Sequence, residues 1–321
     1  MLRRGPILDS LYTEIGTAAE GDHMDIRHMR YFLGVVDHGG FGRAAAHLHV
    51  AQPSISQAIA ALERELGVEL FHRIGRTVTV SEPGAALIEP ARRAVRSLDA
   101  VTATATSLKG RLSGHVDLAL MPSQAVEPFS TIALAFGRRF PGVTIRARAS
   151  FSGSEATDMV ASGKCEVGLL GAAHFLPTSG VVLERLEDQE MVLVGVPGHP
   201  FQDHETVGRP ELAGERLIVP PVGSVMRRVV DEIIDSGVKV DIAVEVEHRA
   251  AILPLVLAGG GLAVMPASWS TFARRSGAAV MHLEPIVTLQ VSLALREGHT
   301  LTPAAHAFVA VAREYASDLA I

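Results

Sequence analysis

The chain has 321 residues, 48% of them hydrophobic and 20% charged, with a formal net charge of −6. That length holds two or more domains and buries a full core without staples, in the manner of a soluble globular protein. The single cysteine, Cys165, excludes a disulfide framework, a Cys-based zinc site and a two-thiol redox switch, and it fits a reducing cytoplasm.

Residues 1–23 carry no helical apolar stripe, and Arg3-Arg4 is not followed by a signal-peptide hydrophobic region, so this stretch reads as an extension without an ordered fold. Met24 then reads as the natural first residue of a domain. Asp25 is placed to cap a helix in which Met29, Phe32, Leu33 and Val36 fall at i, i+3, i+4 and i+7. Gly39-Gly40 ends it, because glycine takes the left-handed cap without strain. The next stretch, FGRAAAHLHVAQPSISQAIAALERELGVELF, splits into two short amphipathic segments around a tight turn. In the second, Ile55, Ile59, Leu62 and Leu66 stack on one inward face. Pro53 suits the first helical turn, where its missing N–H costs nothing. The outward face shows Gln52, Ser54, Ser56, Gln57 and Arg64. An idle surface helix carries Glu and Lys, whereas this set suits base edges and phosphates, so the pair is expected to be a helix-turn-helix. An ordinary helical hairpin is the alternative. Residues 24–110 also carry a slight positive excess while the rest of the chain is acidic, which permits a DNA partner.

HRIGRTVTVS then alternates Val78 and Val80 with Thr77 and Thr79 around Gly75, the pattern of a wing. Arg73 and Arg76 flank its turn, within reach of phosphates or the minor groove. Ser81 caps a long helix in which Ile88, Ala91, Val95 and Leu98 repeat at spacings of three and four, a seam suited to a partner helix. The same seam could pack on its own domain, but a homodimer is the better expectation for a DNA reader of this size. Pro90 sits inside this helix.

From Gly114 strand and helix patterns alternate: HVDLALM, a helix over 129–140, VTIRARA, a helix over 154–162, then VGLLG. A weaker second series follows with MVLVGV, LIVP, a helix over 224–234, VDIAVEV, a helix over 249–258 and GLAVMP. The chain returns through LQVSLALRE to a last helix over 303–315. This is α/β with parallel strands, in two lobes around a ligand cleft. The domains expected are thus 24–82, a linker helix 83–110, and a two-lobed effector domain 111–321. Candidate effector contacts end strands or open helices: Ser123, Gln124, Ser152, Ser154, Ser224 and His248, the last beside Arg249. Helix amino ends favour anions, so a carboxylate-bearing metabolite is expected. A plain helix cap is the equal alternative for each serine, and a solvated surface pair for His248-Arg249.

No G-x-S-x-G elbow, Walker loop or H-E-x-x-H motif occurs, and Gly259-Gly260-Gly261 precedes a strand instead of following one, so an enzyme is not expected. No histidine spacing marks a metal site. No apolar run nears the ~20 residues of a bilayer span, so no membrane partner is expected.

With that order in hand, residues 24 to about 315 resemble the LysR-type transcriptional regulators. The AA-x-x-L, QPS-x-SQ-x-I, LE-x-x-LG and LF-x-R elements stand at family spacing, followed by FPGV, GHPF and GGGLAVMP. The resemblance implies an N-terminal winged helix-turn-helix joined by a linker helix to a periplasmic-binding-protein-like effector domain. It implies dimers of dimers on an interrupted inverted repeat at a promoter, no fixed cofactor, and a small-molecule co-inducer that alters DNA bend and RNA polymerase contact. By matching position, Gln52, Pro53, Ser54, Ser56 and Gln57 fall on the DNA face, with Arg73 and Arg76 in the wing. The chain departs from the pattern at Gly40, where the family often has a capping serine, at VSEPG in place of LT-x-x-G, and at Glu166 in place of Asp.

Overall fold

Asp25 opens helix α1 (Ile26–His38) by accepting a hydrogen bond from the Arg27 N–H at 3.2 Å, while its own N–H donates to the His28 ring at 3.2 Å. Gly39 closes the helix in the left-handed region, φ 66°. The computed structural model describes residues 24–74, 77–107, 112–172, 179–204 and 206–319, so the 1–23 extension lies outside the described residues. The chain forms two compact units that divide between Leu98 and Asp99.

In the first unit, α2 (Phe41–Leu48) starts at Gly40 with no side-chain cap, the consequence of the missing serine. The Arg43 guanidinium folds back instead and donates to the carbonyls of His38 and Gly39. Helix α3 (Gln52–Leu66) buries Ile55, Ile59 and Leu62 against Phe32 of α1 and Phe41, Ala44 and Ala45 of α2. Leu66, expected on that ridge, is instead 36% exposed. The helix stops at the left-handed Gly67, and the buried leucine at that end is Leu70, past the turn. Strands β1 (Phe71–Ile74) and β2 (Thr77–Val80) pair antiparallel with Phe71 opposite Val80. The Phe71 ring fixes this hairpin to the helices, 5.5 Å from Phe32 and 5.6 Å from Phe41.

Helix α4 (Glu82–Ser107) runs through Pro90 without ending. Ser81 caps it, accepting from Gly84 N–H at 3.0 Å and donating to the Glu69 carbonyl at 2.6 Å. A Cβ on Gly84 would lie 2.3 Å from the Leu70 carbonyl oxygen, so only glycine lets helix and wing approach this closely. Ala91, expected to face a partner, is buried in the unit's own core, with Ile88 and Val95 packed beside it. One residue on, Arg92 donates to Asp37 at 3.1 Å and ties this part of α4 to the end of α1. The open part of the seam is Leu98, 42% exposed, followed by Val101, 66% exposed.

The second unit contains, in order, β3 (Gly114–Leu120), α5 (Phe129–Arg139), β4 (Val143–Ala149), α6 (Gly153–Ala161), β5 (Val167–Ala172), β6 (Val181–Gly195), β7 (Thr206–Gly208) and β8 (Arg216–Val219). Then come α7 (Val225–Asp235), β9 (Asp241–Glu245), α8 (Ile252–Leu257), β10 (Ala263–Pro266), α9 (Ser270–Arg275), β11 (Ala279–Glu284), β12 (Thr288–Arg296) and α10 (Pro303–Asp318). Strand β3 pairs in parallel with β4 and β5, and β8 with β9, as the strand–helix alternation implies. The expectation of parallel strands fails for β6 and β12, which pair antiparallel with each other and with β5, β10 and β11. These are the segments that carry the chain from one lobe to the other and back. Strand β6 serves both: residues 181–190 pair with β12, and its end pairs with β10 and β11.

Both faces of the first-lobe sheet are covered. Leu118, Leu169 and Leu293 face a core with Phe136 of α5 and Phe308 of α10, whose rings meet edge to face at 5.5 Å. Ala119, Leu170 and Ala294 face a second core with Ala156, Met159 and Val160 of α6, where Cys165 is also buried. A third core, around Leu217, Val229, Ile252 and Met281, forms the second lobe. Glu166 keeps its strand and accepts from both the N–H and the hydroxyl of Thr302, at 3.1 and 3.0 Å, so it anchors the start of α10.

Replacing Gly84 by Ala is expected to destabilise the first unit by about 1–3 kcal/mol, because the new methyl meets a backbone carbonyl. Hydrogen exchange of the α1–α3 amides reads this directly. Unchanged protection would show that the approach of α4 to Leu70 is not tight.

Candidate DNA-reading face and inter-lobe site

The face of α3 opposite the buried ridge is open. Gln52, Pro53, Ser54, Gln57 and Arg64 are exposed and Ser56 is half-buried. Ala51, which precedes the helix, offers no side-chain cap, so the first-turn N–H groups and the helix dipole face outward with the polar side chains. Glu63, on the flank of the same helix, accepts from the N–H groups of Leu70 at 2.7 Å and Phe71 at 3.3 Å. Its carboxylate thereby ties the wing's first strand to α3. Of the wing arginines, Arg76 lies outside the described residues, and only the backbone of Arg73, in β1, is described. His47 stacks on His38 with ring centroids 4.0 Å apart, and His49 takes the left-handed conformation, φ 54°, at the turn between α2 and α3. Among the described residues no group of three or more His, Cys, Asp or Glu could hold a metal ion.

The effector candidates separate into two kinds. Ser152 and Ser224 are helix caps, accepting from Glu155 N–H and Arg227 N–H, each at 3.1 Å. Ser154 is exposed and lies 3.0 Å from Ser152, oxygen to oxygen. His248 is exposed and forms no side-chain cap. Ser123 and Gln124, by contrast, are buried where β3 ends, and the second lobe meets them there. It does so through Arg249, which the sequence placed beside the candidate His248 at a helix start, with a solvated surface pair as the equal alternative. Arg249 is 7% exposed. Its Nη1 donates to Ser123 Oγ at 3.4 Å, and its Nη2 donates to the Phe151 carbonyl at 3.2 Å. The Ser123 hydroxyl in turn donates to Gln124 Oε1 at 2.7 Å, and the Gln124 NH2 has no partner among the described residues. Ser150, wholly buried beside Phe151, also has an unpartnered hydroxyl, and no sequence signal marked it. Burial holds the Arg249 guanidinium below its ordinary pKa. Gly171 makes room for this group, since a Cβ there would fall 2.6 Å from Gln124 Nε2.

A winged helix-turn-helix with its polar face open, followed by a two-lobed α/β unit with unsatisfied polar groups where the lobes meet, is the arrangement of a ligand-responsive DNA-binding protein. Residues 26–85 match the bacterial regulatory helix-turn-helix protein, lysR family, and residues 109–317 match the LysR substrate binding domain. The chain belongs to the LysR family of DNA-binding transcriptional regulators, with an effector-binding domain, and its relatives are regulators, not enzymes.

The chain is 32% identical over 247 residues to the probable hydrogen peroxide-inducible genes activator of Mycobacterium leprae (strain TN), covering 76% of this chain and 78% of that protein. It is 28% identical over 288 residues to the nitrogen assimilation regulatory protein nac of Klebsiella aerogenes, covering 88% and 92%. Among solved structures, CbnR, a LysR family transcriptional regulator complexed with its target DNA, aligns with a TM-score of 0.64 at 24% identity, over 91% of this chain and 100% of that one. A substituted full-length OxyR from Pseudomonas aeruginosa aligns with a TM-score of 0.68 at 20% identity, over 92% and 95%. These two likenesses speak for the fold alone. No helix among the described residues is long and apolar enough to cross a membrane.

Glu63→Ala is expected to cost about 1–3 kcal/mol by leaving two backbone donors at the start of the wing without their acceptor. Glu63→Gln keeps an acceptor oxygen and is expected to lose less. Equal thermal stability of the two variants would remove this role from the carboxylate.

Proposed function

We propose that this protein is a sequence-specific transcriptional regulator that binds an interrupted inverted repeat at a promoter as a homodimer, two dimers assembling into one complex. A small molecule held where the two lobes meet modulates the DNA bend and the contact with RNA polymerase. The reading places the protein in the cytoplasm and needs no fixed cofactor. Its main support is the exposure of Gln52, Ser54 and Gln57 on a helix whose opposite ridge is buried. Side-chain amides so placed read adenine edges in the major groove, and serine hydroxyls reach phosphates. Arg64, exposed on the same helix, adds positive charge, and Arg73 and Arg76 bring two more charges to the wing sequence. The open end of the α4 seam, from Leu98 to Val101, supports pairing of two chains.

The peroxide response named for the Mycobacterium leprae relative has no disulfide route here. Cys165 is the chain's one cysteine and it is buried, so no second thiol exists to close a bond within the chain. The proposal therefore rests on a bound effector and not on an intrachain redox switch.

Gln57→Ala is expected to weaken binding to the operator by about 1–3 kcal/mol while leaving affinity for scrambled DNA unchanged. Gel shifts on the DNA upstream of the gene, at two salt concentrations, separate the specific part from counterion release. Equal affinity for operator and scrambled duplex in both proteins would defeat the assignment. Aspartate at both Leu98 and Val101 is expected to shift the protein toward monomer in sedimentation velocity. An unchanged sedimentation coefficient would place the dimer contact elsewhere.

A further inference from the structure

Arg249 is a buried cation. Among the described residues no carboxylate pairs with it, and its hydrogen bonds go to a hydroxyl at 3.4 Å and a carbonyl at 3.2 Å. A guanidinium has five N–H donors, and these two bonds use two of them. Burying such a charge without an anion is costly, and folds rarely tolerate it unless something else completes the pair. One hydroxyl away, Gln124 is 0% exposed, with its carbonyl occupied by Ser123 and its NH2 unpartnered. The Ser123 hydroxyl thus orients the amide so that the unpaired end is a donor. Ser150 contributes a further buried hydroxyl next to the residue that Arg249 bridges.

The unmet capacity of this group is therefore almost wholly donor, with one positive charge. An ionised carboxylate has the reverse character: acceptors only, one negative charge, and a planar pair of oxygens that fits the guanidinium fork. Neutral amides and alcohols bring donors for which this group offers hydroxyl oxygens and no free carbonyl or carboxylate. The set also spans the two lobes, since Ser123, Gln124 and Ser150 belong to the first and Arg249 to the second. A ligand between them engages both lobes at once.

We propose that Arg249, with the Gln124 amide, makes this protein a receptor for a small organic monocarboxylate, and that Arg249 determines the charge of the effector. The inference rests on the effector reading above and adds to it the ligand class and the residue that selects it. Arg249 is kept at a cost to the unliganded fold, and the arriving carboxylate supplies the missing charge.

The test uses the full-length protein and its Arg249→Met and Arg249→Lys variants in thermal unfolding. The probes are acetate, benzoate and succinate, set against acetamide, benzamide and inorganic phosphate. A monocarboxylate is expected to raise the melting temperature of the wild type saturably, and its carboxamide to leave it unmoved. Arg249→Met is expected to melt about 2–4 °C higher than wild type without ligand, because an uncompensated charge is gone. It is also expected to bind the carboxylate at least ~10-fold more weakly, with Arg249→Lys between the two. If Arg249 merely latches the lobes together, Arg249→Met melts lower than wild type, and the proposal falls. It also falls if carboxamides stabilise as well as carboxylates, if phosphate is preferred to both, or if no monocarboxylate acts. A neutral compound that stabilises wild type and Arg249→Met alike would remove the acid and leave the effector site standing. Stabilisation by no compound, with operator affinity constant throughout, would remove both.

Discussion

Three aliphatic side chains decide which face of α3 is left open. Ile55, Ile59 and Leu62 are buried on one side of α3 against phenylalanines and alanines of α1 and α2. Burying each contributes about 1.5–3 kcal/mol, so turning the helix would forfeit several kcal/mol and also drive Gln52 and Gln57 into an apolar core. The rotation of α3 is thus set by packing, and the amides point outward as a consequence. Glu63 and Ser81 extend the same constraint to the wing and the long helix through their bonds to Leu70, Phe71, Glu69 and Gly84. The Arg92–Asp37 pair then holds α4 against α1, which leaves only the far end of its apolar seam for a second chain.

The second unit depends on a different device. Strands β6 and β12 belong to both lobes or connect them, so the two cores share backbone hydrogen bonds and not only side-chain contacts. Apolar packing is well satisfied on each side. Where the lobes meet, a buried Arg249 lies close to a Gln124 amide and a Ser150 hydroxyl that have no partner among the described residues. Natural folds concentrate such violations at functional sites. The LysR family assignment gives that place a context, and the donor-rich chemistry gives it a character.

Much of this was legible in the sequence because it is local. The 3.6-residue period of α1 and α3, the Asp25 and Ser81 caps and the Gly39 stop each depend on residues within one or two turns, and the structure shows each of them. Other features depend on partners distant in the chain. Only MVLVGV showed as a strand, because the preceding VVLERLEDQE carries charges that no simple alternation explains. Pairing with β12 makes the whole stretch from Val181 to Gly195 one strand. Ala91 could face either a second chain or its own domain, and its packing against α1 and α3 residues distant in the chain puts it in its own core. Leu66 has the period of the ridge, yet the helix ends before the core reaches it. The sequence left His248-Arg249 open between the cleft and the surface. The structure divides the pair, with His248 exposed and Arg249 buried against Ser123 and Phe151, both over ninety residues away.

The account stands on α3 presenting its amides to DNA while its aliphatic ridge stays packed. The most direct measurement is the NMR signal of the Gln52 and Gln57 side-chain NH2 groups as operator duplex is added to the protein. The account predicts that both shift or slow their exchange with water on operator binding, while the Ile55, Ile59 and Leu62 methyl signals keep their core environment. Amide signals that stay unmoved on a bound operator, or ridge methyls that move in their place, would contradict it.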